Sequence, residues 1–195
     1  MNRQVERSSA TIGAIHAAAR KLFASRGFEA TSIDDIADQA GVAKGAIYHH
    51  FSSKQEIFTQ VLEALQSEIA AAPIPAAVRQ IPDLLDQIAA GVQRYLDAAM
   101  QPGIKRILLI DGPVVIGWGK WREIDDRYFA AGTKAALAHA IGKRISPREL
   151  EALAHLVMGA VMEAALVCAK ADDPARCARE HVAALRKMLE GPRSG

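Results

Sequence analysis

Cysteine is nearly absent: of 195 residues only Cys168 and Cys177 carry a thiol, nine positions apart, with neither a CxxC pair nor a matching histidine pair. That spacing excludes a disulfide scaffold and carries no zinc signature, so no metal or cofactor is expected and a reducing, cytoplasmic setting fits best. Aromatic residues are scarce as well, at 5%, and both tryptophans, Trp118 and Trp121, fall within one short stretch. No period-two alternation marks a strand, no repeat or low-complexity run interrupts the chain, and residues 1–10 lack the apolar core of a secretion signal. They are expected to form a flexible basic arm, and the tail from Gly191 is expected to fray. Catalytic signatures are missing too: HExxH, a glycine-rich phosphate loop after a strand, GxSxG, metal-spaced carboxylates. Of the six histidines, His49 and His50 are adjacent and on a helix point about 100° apart, a poor geometry for sharing an ion. An enzyme is not expected.

What the chain does have is helical periodicity, which predicts an all-α fold. With 50% hydrophobic residues it can bury a substantial core. Residues 31–54 organise the reading. Ile33, Ile36, Ala37 and Ala40 recur at helical spacing, and Thr31 and Ser32 each precede an aspartate by three, the pattern of a capped start near Ser32. Gly41 ends this helix by supplying a positive φ. In the next helix Ile47 and Phe51 share a buried face, while Lys44, Tyr48 and His49 point outward. Two helices joined by a short glycine turn, the second exposing a polar and cationic face, suit a helix laid in the major groove.

The run Ala18-Ala19-Arg20-Lys21-Leu22-Phe23, Gly27-Phe28, Thr31, Ile36-Ala37, Ala40-Gly41-Val42, Lys44-Gly45, Ile47-Tyr48, His50-Phe51 and Lys54 resembles the DNA-binding domain of the TetR/AcrR transcriptional regulators, densely over residues 11–62. The resemblance implies a three-helix helix-turn-helix domain over 1–55, followed by a larger helical effector-binding and dimerisation domain over 56–195. It also implies DNA contacts by Thr31, Ser32, Lys44, Gly45, Tyr48, His49, His50 and Lys54, with Gly45 allowing close backbone approach. Two positions depart from the family: Gly13-Ala14 replaces a charged pair, and Ala43 stands where a serine or threonine would cap the recognition helix, at a cost of about 1 kcal/mol. Charge agrees in sign, since the first 55 residues hold seven Arg/Lys against five Asp/Glu and the rest of the chain is balanced.

Further helices are expected from Lys54 to about Ala71, from Pro82 to Met100, over Ile104–Ile110 until a break at Asp111-Gly112-Pro113, from Val114 to about Gly142, from Pro147 to about Ala169, and from Pro174 on. Between Ala152 and Ala169 the only formal charge is Glu163. Weak hydrophobicity and that acid argue against a membrane span, and a helix apolar on every side needs covering on every side. A homodimer through the helices near 147–170 and 174–190 is therefore expected, with Val157 and Val161 as residues whose replacement by aspartate would disrupt it unless they lie in the subunit's own core. A sensor cavity is expected among residues 82–170, walled by Tyr95, Met100, Trp118, Trp121, Met158 and Met162. Glu163 serves either as its polar anchor or as an intersubunit bond. The overall expectation is a dimeric repressor that reads a palindromic double-stranded operator and releases it when a small hydrophobic effector binds. The alternatives are an activator or an architectural binder without effector.

Overall fold

The computed structural model describes residues 3–142 and 145–190, with side chains from Arg7 onward. Met1, Asn2 and the tail from Gly191, expected to fray, lie outside the described residues. Among the described residues every regular element is helical. The chain divides into two units, Met1–Leu65 with Pro102–Trp121, and Gln66–Gln101 with Arg122–Gly195. The boundary expected between residues 55 and 56 thus falls inside the first unit.

In the first unit α1 (Arg3–Arg26) takes in most of the arm expected to be flexible, which is helical from Arg3. It is followed by α2 (Ile33–Ala40), α3 (Lys44–His50) and α4 (Lys54–Ala71). Their apolar stripes meet in a core of Ile15, Ala19, Phe23, Ile36, Ile47, Phe51, Ile57 and Phe58, all buried. Each large side chain so removed from water contributes roughly 1.5–3 kcal/mol. The Phe58 ring meets Phe23 and Phe28 edge-on, with centroids 5.2 Å apart in both pairs.

The expected break at Asp111-Gly112-Pro113 does not occur. Helix α7 (Pro102–Lys105) continues through a π-helical turn, Arg106–Asp111, into α8 (Gly112–Val115), where Pro113 sits in the first turn and its missing N–H costs nothing. The real interruption is Gly117, at φ 80, before α9 (Trp118–Ile141). This segment holds the corner after α1. Asp111 accepts the Phe28 N–H at 2.9 Å, and Arg106 donates to the Arg26 carbonyl at 3.0 Å. Gly27, at φ 85, is needed there twice over, because a Cβ would come within 2.6 Å of the Arg106 guanidinium.

The second unit contains α5 (Ala76–Arg79), α6 (Leu84–Ala99), α10 (Pro147–Lys170), α11 (Pro174–Glu190) and the remaining parts of α4 and α9. Asp83 caps α6, and Ser146 with Glu149 forms a reciprocal capping box on α10. Leu137, Ala154, Val157 and Leu185 make the core, and Arg186 of α11 reaches Asp86 of α6 at 2.7 Å. Of the two placements open to it, Val157 takes the core of its own subunit, and Val161 packs against the same cluster. The outward face of α10 carries Leu156 and Val167, 71% and 41% exposed. By length and composition α10 could cross a membrane, but its other face, Ala154, Met158, Met162, Ala165 and Cys168 included, is buried in the unit, as a core helix's is.

Candidate nucleic-acid interface and sensor cavity

Helix α2 starts with a full capping box: Ser32 Oγ accepts the Asp35 N–H at 3.0 Å while Asp35 accepts the Ser32 N–H at 2.8 Å. The Ser32 hydroxyl, donating to Asp35 Oδ2 at 2.6 Å, and then the Ser32 N–H hold the Asp35 carboxyl below its ordinary range. Gly41, at φ 67, turns the chain, and its N–H and that of Val42 close the last carbonyls of α2. Helix α3 begins at Ala43 with no side-chain cap. Seven residues long, it buries Ile47 and leaves Lys44, Gly45, Tyr48 and His49 exposed, with His50 half-buried at its end.

Lys44 Nζ sits 2.8 Å from Asp34, which raises its pKa through the hydrogen bond and then the charge. Both partners are solvated, so the pair contributes little and can be exchanged for another anion or a base edge. Gly45 has open space where a Cβ would be, so the protein itself does not require glycine there.

Two expected contacts are differently employed. Thr31 is buried, and its hydroxyl donates to the Gly27 carbonyl at 2.7 Å, so its side chain faces the protein. Lys54 donates to the Phe28 and Thr31 carbonyls, each at 2.8 Å, and lies over the Phe28 ring at 4.1 Å. It satisfies two carbonyls of the loop that leads into α2, which explains a lysine at the start of a helix, where the dipole disfavours a cation. The Lys54 ammonium thereby ties the start of α4 to that loop.

The second unit encloses a cavity of about 460 Å³. Its walls are mainly apolar, including Ile88, Val92, Phe129, Met158 and Met162. Of the seven residues expected to line it, Tyr95, Met158 and Met162 do. The others do not, each for a definite reason. Trp118 and Trp121 belong to the first unit, where Trp121 is buried with its indole N–H donating to the Leu108 carbonyl at 2.8 Å. Met100 lines a separate crevice with Asp97 and Asp172, and Glu163 lies on the exposed face of α10.

The buried carboxylate in the cavity wall is Asp125. It is 4% exposed, and its Oδ1 accepts from Gln66 Nε2 at 3.1 Å and from the Tyr95 hydroxyl at 3.3 Å. Burial pushes its carboxyl up to about 6 against the opposing pull of those two bonds, and the Tyr95 phenol is raised in turn by burial and by Asp125. The Gln66 Oε1 is buried without a partner. An acid in register with Trp121, Tyr128 and Phe129 on one helix was the signal that could have found Asp125.

The corner between α10 and α11 also brings together residues that sequence spacing kept apart: Cys168, Cys177 and His181 place their ligand atoms within 4.8 Å of one another.

Residues 15–61 match the family described as bacterial regulatory proteins, tetR family, and residues 85–192 match the tetracyclin repressor-like C-terminal domain. The chain belongs to the TetR family of transcriptional regulators. It is 35% identical over 85 residues to the transcriptional activator FasR of Mycolicibacterium smegmatis, spanning 44% of this chain and 38% of that one. It is 36% identical over 84 residues to the repressor KstR2 of the same organism, spanning 43% and 32%. These matches cover about a third of each relative. A solved TetR-family regulator from Pectobacterium atrosepticum is similar throughout, at a TM-score of 0.77 and 27% identity over 98% of this chain and 97% of that one. As a TetR-family member the protein is a regulator whose N-terminal helix-turn-helix domain binds DNA, followed by a helical C-terminal domain.

Proposed function

We propose that the protein is a cytoplasmic homodimeric repressor that leaves its operator when a small, largely hydrophobic effector occupies the cavity of the second unit. The observation that carries this reading is the cavity itself, about 460 Å³ with an apolar wall and a single buried carboxylate, Asp125, because such sites hold small organic ligands. The effector is expected to carry a hydrogen-bond donor, an amine or a hydroxyl, for Asp125, which lines the cavity. Gln66 is on α4 and Asp125 on α9, the two helices whose chain belongs to both units, so a ligand that pulls on this pair has a covalent path to the reader. A repressor needs only to occupy its site and leave it. KstR2 is a repressor and FasR an activator, so the sign of regulation rests on that economy.

The reader is the exposed face of α3, with Lys44 directed to a base edge, Tyr48, His49 and His50 beside it, and Ser32 near the phosphates. Two copies are needed to read half-sites about 34 Å apart, and Leu156, Val167 and Met188, exposed on α10 and α11, support pairing through those helices. In this division residues 1–55 recognise DNA and 56–195 sense and pair. The test is anisotropy binding to oligonucleotides selected with the purified protein, repeated with hydrophobic amines, alcohols and acids. Release by an amine or alcohol and not by the matching acid supports the reading. Binding indifferent to every compound, or a wild-type monomer in sedimentation at micromolar concentration, sinks it.

A further inference from the structure

We propose that Cys168, Cys177 and His181 form a binding site for a thiophilic cation, Zn(II) being the occupant that the donor set and geometry favour. Cys168 lies in the last turn of α10, fully buried, and Cys177 and His181 are four apart on one face of α11, both half-buried. The Cys177 Sγ is 3.5 Å from His181 Nδ1 and the Cys168 Sγ is 3.9 Å from it, while the two sulphurs are 2.8 Å apart. Around tetrahedral zinc, with Zn–S of about 2.3 Å and Zn–N of about 2.0 Å, sulphur and nitrogen stand roughly 3.5 Å apart and two sulphurs roughly 3.7 Å. The sulphur–nitrogen distances already suit an ion. The sulphurs must part by about 1 Å, which a change of χ1 at half-buried Cys177 supplies.

His181 Nδ1 also lies 2.9 Å from the Cys177 carbonyl. With the proton on Nδ1 the ring donates to that carbonyl, and with the proton on Nε2 it presents a lone pair to the sulphurs. An ion selects the second tautomer. The negative end of α10 adds a favourable field at Cys168. Three protein ligands leave a fourth position for water, reached from the half-exposed side. A bound ion would staple the end of α10 to the start of α11 across Ala171–Asp173 and so stabilise the unit. This proposal is independent of the effector reading.

The full-length protein, reduced and chelator-treated, is loaded with Zn(II), desalted and assayed for metal, with Co(II) titration as a spectroscopic probe. The expected result is one Zn(II) per chain, a thiolate-to-Co(II) charge-transfer band that Zn(II) bleaches, and a higher melting temperature with Zn(II). Cys177→Ala and His181→Gln, chosen because neither residue is fully buried, should melt like the wild type in chelator and lose all three signals. Unchanged retention in both variants, absence of the band, or thiols found joined as a disulfide in the reduced preparation would overturn the site. Retention of Cu(I) and not Zn(II) would overturn the choice of ion.

Discussion

On the reader face the charged groups are exposed and tied to partners close in sequence, Ser32 to Asp35 three positions on and Lys44 to Asp34 ten positions back. In the cavity the carboxylate is buried and is held by Gln66 and Tyr95, 59 and 30 positions away. The difference follows from what each surface must do. An exposed ion pair in water is worth little, so the reader can exchange Asp34 for DNA at small cost. A buried carboxylate cannot be left unpaired cheaply, so the cavity stores an unfavourable interaction that a donor on a ligand would relieve.

The largest expected effect breaks the buried side of that contrast. Asp125 has a folded-state pKa of about 6 against an ordinary 3.8. The folded state therefore holds a proton between those values that the unfolded state has lost, and stability falls as pH rises from about 4 to 6, then levels off. Two units correspond to a ceiling of about 3 kcal/mol at neutral pH. Asp125→Asn should raise stability at pH 7 by up to that amount and flatten the acid limb, measured by urea unfolding from pH 4 to 7.5. A variant whose pH profile overlays the wild type would show that Asp125 is not the buried group supposed here. The same variant should lose response to any donor-bearing effector while binding DNA normally.

Next comes Lys54, which joins the two regimes by being half-buried on the reader. Lys54→Met keeps an apolar stem but removes both bonds to carbonyls and the ammonium over Phe28, so a loss of roughly 2 kcal/mol in stability is expected. It should weaken binding to all sequences alike. A positioning residue leaves the salt dependence unchanged, whereas a direct phosphate contact would lower its slope by about 1, so a salt titration separates the two roles.

The range of each surface's partners also explains what could be read from the sequence. Ser32, Asp35 and Gly41 act within one or two turns, so spacing alone locates α2, its cap and the turn. Exposure of Lys44 and Tyr48 against burial of Ile47 follows from helical period. Thr31 and the carbonyl bonds of Lys54 were not legible because a buried hydroxyl and a bonded ammonium look in sequence like exposed groups, and only the path of residues 27–31 tells them apart. Trp118 and Trp121 misled because the helical pattern gives a face and not the unit that covers it. Cys168, Cys177 and His181 are joined by a helix corner that no motif describes.

The reader itself is sharpened by two substitutions of smaller effect. Lys44→Ala should leave the melting temperature unchanged, since its partner is a solvated carboxylate, yet reduce operator affinity roughly ten- to a hundred-fold and relax preference at one base pair, as loss of a base-edge contact does. Equal weakening on all sequences would reassign it to the phosphates.

Gly45→Ala gives the smallest effect on the fold, and the most telling, because its two consequences have opposite sign. Nothing lies within 4 Å of a Cβ at Gly45, and the residue is inside α3, so alanine should stabilise the unit by roughly 0.5–1 kcal/mol. The added methyl would stand on the exposed face, where a DNA backbone or base edge must approach closely if α3 lies in the groove. Operator affinity should then fall although stability rises. A variant that gains stability and keeps full affinity would mean that α3 meets DNA with a different face, and the assignments of Lys44 and Tyr48 would fall with it.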